Sequence, residues 1–311
     1  MRIDSLISIA RGRRIDSLRL PWSWTALMNS KAVTRLAAGL LCLSQIGMVH
    51  AADKSRASEL RSISIRVQAG GFGVASAADI TAVLQSAAGE LSRYWPRTQL
   101  PSIDVYHRAD HPQTDSRRGA GNRIAIGLTA RDNHWAQYGF QFAHEFCHAL
   151  ANYSNSSRPL VRYPRHANLW LEESLCETAS LFTLRAMGRS WQTDPPHSAW
   201  REYAVWLNSY AKERLAMAKN RLPPGTQFSI WFRENQSLLR HSPTERSRNT
   251  IIATQLLPIF EAEPRGWEAL AFLNSASSDP QSSLAQNLAR WRSRCPQELR
   301  SFVTKIAEVF L

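Results

Sequence analysis

The chain has 311 residues, 44% of them hydrophobic, and a formal net charge of +13. That is an ordinary globular composition, able to bury a substantial core in one large domain or two small ones. The charge invites a nucleic-acid reading, but seven of the 38 Lys and Arg and only two of the 25 Asp and Glu fall within residues 1–51. The rest are scattered, with no basic run interleaved with aromatics, so nucleic acid is set aside as a partner.

Residues 1–27 are Arg-rich, and the pentapeptide Arg-Ile-Asp-Ser-Leu occurs at 2–6 and again at 14–18. They read as an extension ahead of a start at Met28, because residues 28–51 have the order of a secretory signal peptide. Lys31 and Arg35 come first, then an apolar run from Leu36 to Val49, then Val49-His50-Ala51 as a cleavage site. The apolar run falls short of the about twenty residues of a comfortable membrane span. Cys42 lies inside that run with no small residue just before it, so lipidation is not expected. Cleavage after Ala51 leaves a chain of formal charge +8 with no stable membrane span, expected outside the cytoplasm, periplasmic or secreted.

In the mature chain, the alternating β-branched pattern at 62–67 predicts a strand, and Gly70, Gly71 and Gly73 a turn. Apolar residues at helical spacing over 78–94 predict a helix ending before Pro96. Residues 102–107 and 122–129 read as two more strands. The segment 108–121 between them has no apolar periodicity and is expected to be a mobile polar loop.

A helix follows, with Asp132 or Asn133 as its N-cap, running to about Tyr153. At about 100° per residue, Trp135, Tyr138, Phe142, Phe146, Ala149 and Tyr153 form an apolar back, while His144, Glu145 and His148 turn to the other side. After a Ser, Asn, Pro and Arg-rich connection, a second helix is expected from Asn168 to Met187, closed by Gly188. The remainder reads as helical, with breaks at Pro195-Pro196, Pro223-Pro224, Glu263-Pro264 and Asp279-Pro280. No strand signal follows residue 130. The expected fold class is α+β, with a small mixed sheet and helices over 52–160, an all-helical half over 161–311, and the site between them.

That site begins with His144-Glu145-Phe146-Cys147-His148. The H-E-x-x-H spacing projects two imidazoles from one helix face and sets a glutamate beside the water they would activate on zinc. A catalytic Zn2+ takes a third protein ligand. The metzincin extension would need Gly at 151 and His at 154, where this chain has Ala151 and Ser154. The acids of the next helix, in Asn168 to Leu181, offer another source. Among them Glu173 and Glu177, four apart, share a face.

The two segments together resemble the gluzincins, the zinc peptidases that include the thermolysin-like proteases and the zinc aminopeptidases. There a Trp-Leu-Asn-Glu-Gly or Asn-Glu-Ala pattern carries the third ligand. The likeness covers residues 141–178. It places Glu172 on the Asn position and Glu173 on the liganding Glu. Glu177 falls where thermolysin-like proteins carry an acid that bonds the first histidine. Two features depart from the pattern: 24 residues separate His148 from Glu173, against about eighteen or nineteen in the best-known gluzincins, and Ser174 replaces Gly or Ala. Glu172 therefore stays open as an alternative ligand.

The resemblance implies a zincin-like fold, Zn2+ held by His144, His148 and Glu173, and Glu177 fixing a histidine tautomer. It implies a peptide or protein substrate, hydrolysed with Glu145 as general base. Tyr203, Tyr210 and His241 are candidates to stabilise the oxyanion, and the strand at Ile124 to Leu128 is the expected edge for an extended substrate. His107, His111, His134, His166 and His197 read as surface or loop residues. An exported zincin-like binding or cell-wall-associated protein without turnover is the alternative, and it gives Glu145 no task.

Cys147 and Cys176 each lie three residues beyond a proposed ligand, on two helices that must converge. Outside the cytoplasm they could form a disulfide stapling the site. The other possibilities are two buried thiols or a pairing with Cys295.

Overall fold

The computed structural model describes residues 63–95, 102–152, 167–274 and 281–311. The start extension, the signal segment, Tyr153, His166 and the Asp279-Pro280 break lie outside the described residues. Lys54–Leu311 forms one compact unit. No helix among the described residues is long and apolar enough to cross a membrane.

Four strands form one sheet in the order β1-β2-β4-β3. β1 (Ile65–Val67), β2 (Ile103–His107) and β4 (Ile124–Leu128) are parallel, with Ile65 opposite Ile103 and Ile103 opposite Ile124. Parallel pairing requires a crossover, and α1 (Ala77–Ser92) supplies it between β1 and β2. Ser76 caps α1 by accepting from the Asp79 N–H. Ile80, Val83, Leu84, Ala87 and Leu91 are buried, with Ile103, Val105, Ile124, Ile126 and Leu128 of the sheet in the same core. This is the small mixed sheet expected for the N-terminal half.

Between β2 and β4 the expected polar loop instead contains β3 (Gln113–Arg118), antiparallel to β4. Its polar sequence carries no apolar alternation because polar partners hold it in place. Arg108 Nη1 donates to Gln113 Oε1 at 2.8 Å, and the Tyr106 hydroxyl donates to Asp115 Oδ1 at 2.9 Å. β4 is therefore an interior strand, not the edge expected for Ile124 to Leu128. The edge on that side of the sheet is β3.

Asp132 does not cap the next helix. It adopts φ 52° and its carboxylate accepts the Val74 N–H at 2.9 Å, tying down the glycine turn after β1. At Gly73, φ is +71° and a Cβ would stand 2.0 Å from Asp132 Oδ1, so only glycine fits. Helix α2 (Trp135–Ala151) starts one or two residues later than expected, after His134 and without a side-chain cap.

α2 and α3 (Leu169–Ser190) pack against each other at the centre of the molecule. Trp135, Tyr138, Phe142, Phe146 and Ala149 are buried as expected, but so are His144, Glu145 and His148. The polar face is therefore largely covered too, except where it borders a cleft. Gly188 does not end α3, which continues to Ser190. The glycine is instead a point of close contact, where a Cβ would meet the Asn208 side chain at 2.5 Å.

The rest is helical among the described residues: α4 (Ala204–Ala216), α5 (Phe228–His241), α6 (Arg246–Ala262), a 3-10 stretch at Pro264–Phe272, α7 (Leu284–Arg294) and α8 (Gln297–Glu308). The breaks at Pro195-Pro196, Pro223-Pro224 and Glu263-Pro264 fall between these helices. α3 packs on α4 and α6, while Phe260 of α6 stacks on Trp267 at 3.9 Å between ring centroids. Phe182 of α3 packs edge-on against the same Trp267 at 5.3 Å, and burying each such aromatic contributes roughly 1.5–3 kcal/mol.

Candidate metal centre

One turn of α2 brings the His144 and His148 rings to 5.1 Å between centroids. α3 crosses them and adds Glu173. Its Oε2 is 3.3 Å from His144 Nε2 and its Oε1 3.7 Å from His148 Nε2. One ligand atom from each of the three residues lies within 4.8 Å of the others. The longer gap before Glu173 does not displace it, because residues 167–168 lead straight into a helix anchored from elsewhere. Asn168 Nδ2 donates to the Ser282 carbonyl at 2.8 Å.

Successive residues on a helix diverge by about 100°, so Glu172 and Glu173 cannot face the same point. Glu172 turns behind His148. Its Oε1 lies 2.8 Å from His148 Nδ1 and accepts from Asn152 Nδ2 at 3.0 Å, while its Oε2 accepts from Asn274 Nδ2 at 2.7 Å. Glu172 thus orients a ring rather than joining the cluster.

Glu177 takes the corresponding position behind His144, with Oε2 3.7 Å from Nδ1. It is fully buried, accepts from Thr250 Oγ1 at 2.9 Å, and has Arg214 and Arg246 at 3.7 and 3.8 Å. His144 Nδ1 and Glu177 Oε2 face each other, and neither has a hydrogen-bond partner among the described residues. Both imidazoles therefore turn Nε2 to a shared point and Nδ1 to a carboxylate. That is the arrangement expected of metal-ligating histidines, and the donor set of two imidazoles and one carboxylate suits zinc.

The electrostatics agree. Burial by itself favours a neutral His148, yet the charge of Glu173 and the hydrogen bond to Glu172 raise its pKa well above the usual imidazole value. Burial likewise opposes ionisation of Glu173, but His148 and His144 hold its carboxyl far below the ordinary range. At such a cluster protons and a metal would compete for the same atoms.

Glu145 points into a cleft of about 740 Å³ bordered by Asp110, His111, Thr114, Gln141, Arg246 and Asn249 together with the three clustered residues. The Thr114 hydroxyl lies 3.0 Å from Glu145 Oε2 and 2.8 Å from its backbone carbonyl. Thr114 and Arg246 were invisible to sequence reasoning. The first sits in a strand with no apolar pattern, and the second is one arginine among many.

None of the three proposed oxyanion stabilisers lines this cleft. The Tyr203 hydroxyl accepts the Ala136 N–H at 3.3 Å, at the far end of α2. Tyr210 packs edge-on against Phe140, and burial raises its pKa. His241 is exposed at the last turn of α5. Tyr203 thus sits beside the N-terminal turn of α2, whereas Tyr210 lies behind the cleft wall, within electrostatic reach of Arg246 and Glu177.

Of the possibilities left open for the cysteines, the structure has the buried thiols. Cys147 and Cys176 are free, fully buried thiols. They are close enough to hydrogen-bond, and burial, followed by the neighbouring Cys147, pushes the Cys176 thiol well above its usual pKa. The two helices are held by packing instead. Cys295 is a third buried thiol, at the C-cap of α7, pushed up to about 12 by burial. Of the remaining histidines, His107 packs on Phe72 and His197 on Trp200, while His111 pairs with Asp110 at the cleft wall.

Comparison of this chain with protein-family models, with curated proteins and with solved structures finds no match.

Proposed function

We propose that this protein is an exported, zinc-dependent peptidase of gluzincin type, built on a zincin-like α+β fold and acting in the periplasm or outside the cell. The observation that carries this reading is the convergence of His144 Nε2, His148 Nε2 and the Glu173 carboxylate on one point beside Glu145. Zinc held there supplies Lewis acidity, polarising a substrate carbonyl and acidifying water.

The chain's own groups do the rest. Glu172 and Glu177 orient the two rings from behind, so that the Nε2 atoms are presented as donors. Glu145 takes the proton of the attacking water and delivers it to the departing amine, so one water and one peptide bond give a carboxylate and an amine. Gln113, Thr114 and Asp115 border the cleft from the edge strand β3, whose outer backbone groups are available to pair with an extended peptide. A non-catalytic binding protein would need the three ligands but has no use for Glu145.

The test is metal analysis of the purified protein, with wild type and Glu145→Ala compared on casein and a peptide library. The expected result is one zinc per chain and cleavage that falls at least about 100-fold in the variant. A chain without zinc overturns the reading. Zinc without Glu145-dependent cleavage replaces it with the binding protein.

A further inference from the structure

Thr114 belongs to an edge strand, yet its side chain reaches into the centre of the site. Its hydroxyl is 3.0 Å from Glu145 Oε2 and 2.8 Å from the Glu145 carbonyl, and it is the only described hydrogen-bond donor to that carboxylate. Glu145 Oε1 has no hydrogen bond among the described residues. One oxygen is therefore held and the other left towards the cleft.

The strand's register enforces this placement. Thr114 is paired with Ile126 of β4, and its neighbours Gln113 and Asp115 are engaged by Arg108, just past β2, and by Tyr106 of β2. Side chains alternate along a strand, so Thr114 is directed to the opposite side, where α2 lies. A slip of one residue would bring Gln113 or Asp115 to that position. Asp115 there would set a second carboxylate against Glu145, and Gln113 would bring a longer side chain into a space filled by a threonine.

We propose that Thr114 is a positioning residue for Glu145, which holds the carboxylate in its proton-accepting orientation and links that orientation to the edge strand that borders the substrate cleft. The proposal rests on the peptidase reading above for what Glu145 does, but the hydrogen bond does not depend on it. The single hydroxyl proton, shared between the carbonyl and the carboxylate of one residue, restrains the χ angles between them. Without it, Glu145 can rotate, and fewer molecules hold Oε1 where the substrate water must stand. A peptide lying along β3 would press on the strand that carries this restraint, so that substrate binding and base position are coupled through one side chain.

The experiment compares zinc-loaded wild type, Thr114→Val, Thr114→Ser and Glu145→Ala by two readouts. Valine keeps the shape and loses the donor, whereas serine keeps the donor. The first readout is turnover of a casein-derived peptide. Thr114→Val is expected to lower kcat about 10- to 100-fold with KM within about threefold, as loss of one hydrogen bond to a charged group implies, and Thr114→Ser to restore most of it. The second readout needs no turnover: calorimetric binding of a peptide hydroxamate, a chelator whose N–H and O–H need a correctly placed carboxylate acceptor. Its affinity should fall about tenfold in Thr114→Val, further in Glu145→Ala, and recover in Thr114→Ser.

Wild-type affinity and turnover in Thr114→Val overturn the proposal while leaving the peptidase reading intact. So does a Thr114→Ser protein as impaired as Thr114→Val, because strand packing and not the hydroxyl would then be at work. Hydroxamate binding that follows the expected order in a protein without peptide turnover supports the positioning role and removes the peptidase reading. Failure of wild type to bind zinc overturns both.

Discussion

Glu172 Oε1 lies 2.8 Å from His148 Nδ1, on the side of the ring opposite to the edge that faces Glu173. Adjacent residues of one helix thus serve the same imidazole from two directions. Replacing Glu172 by alanine should leave all three metal donors in place but free the His148 ring. Zinc affinity, measured by competition with a chromogenic chelator, should fall about 10- to 100-fold. Glu173→Ala should lose more, since it removes a proposed ligand. Equal losses would mean that the two acids do not have distinct roles.

Cys147 and Cys176 are buried thiols in contact with each other, and alkylation requires an accessible thiolate. Burial removes access, and the raised pKa of Cys176 reduces the reactive form further. Iodoacetamide at about pH 8 should therefore leave both unmodified in the folded protein. After denaturation without reductant, mass spectrometry should find both alkylated. A tryptic product carrying them as a disulfide would contradict the structure.

His241 is exposed and outside the cleft, while Arg246 borders it with no hydrogen bond to its guanidinium among the described residues. Turnover by His241→Ala should stay within about twofold of wild type. Arg246→Ala should lower it by about tenfold or more, because a cation beside the cleft favours negative charge developing on the substrate. Steady-state kinetics on one peptide distinguish the two.

Asp104 of β2 joins the sheet's parallel strands by accepting hydrogen bonds from Arg66 on β1 and from Arg123 just before β4. Burial acts to raise its pKa, but the hydrogen bonds and charges of both guanidinium groups outweigh it and the net direction is down. A carboxyl whose pKa is lower when folded stabilises the protein above its unfolded value of about 3.9 and loses that contribution as pH falls through the folded value. Asp104→Asn should cost about 1 kcal/mol at neutral pH by urea unfolding, and the gap to wild type should narrow below about pH 3. A gap that widens in acid would reverse the assignment.

Much of the fold could be read along the chain. The helix around His144 carries an apolar stripe, the one around Glu173 is a long unbroken helical run, and β2 and β4 are short strand-like runs between turn signals, so local sequence was enough to place them. β3 was missed because its residues are chosen for polar partners, namely Arg108, Tyr106 and Glu145, which are invisible until the strands are adjacent. Asp132 was misread because an aspartate before a helix suits an N-cap as well as it suits the Val74 N–H that it accepts.

The candidate site divides along the same line. His144, Glu145 and His148 were legible because one helical turn determines their mutual geometry whatever surrounds them. Glu173 and Glu177 followed from helix periodicity and the gluzincin likeness. The division of labour between Glu172 and Glu173 depended on how α3 is rotated against α2, and that rotation is set by packing on α4 and α6. The same rotation puts Cys147 and Cys176 in contact as thiols. Spacing within one helix was written in the sequence, because backbone hydrogen bonds determine it locally. Only the tertiary structure decided which faces of two helices meet, because that depends on the whole packed interior.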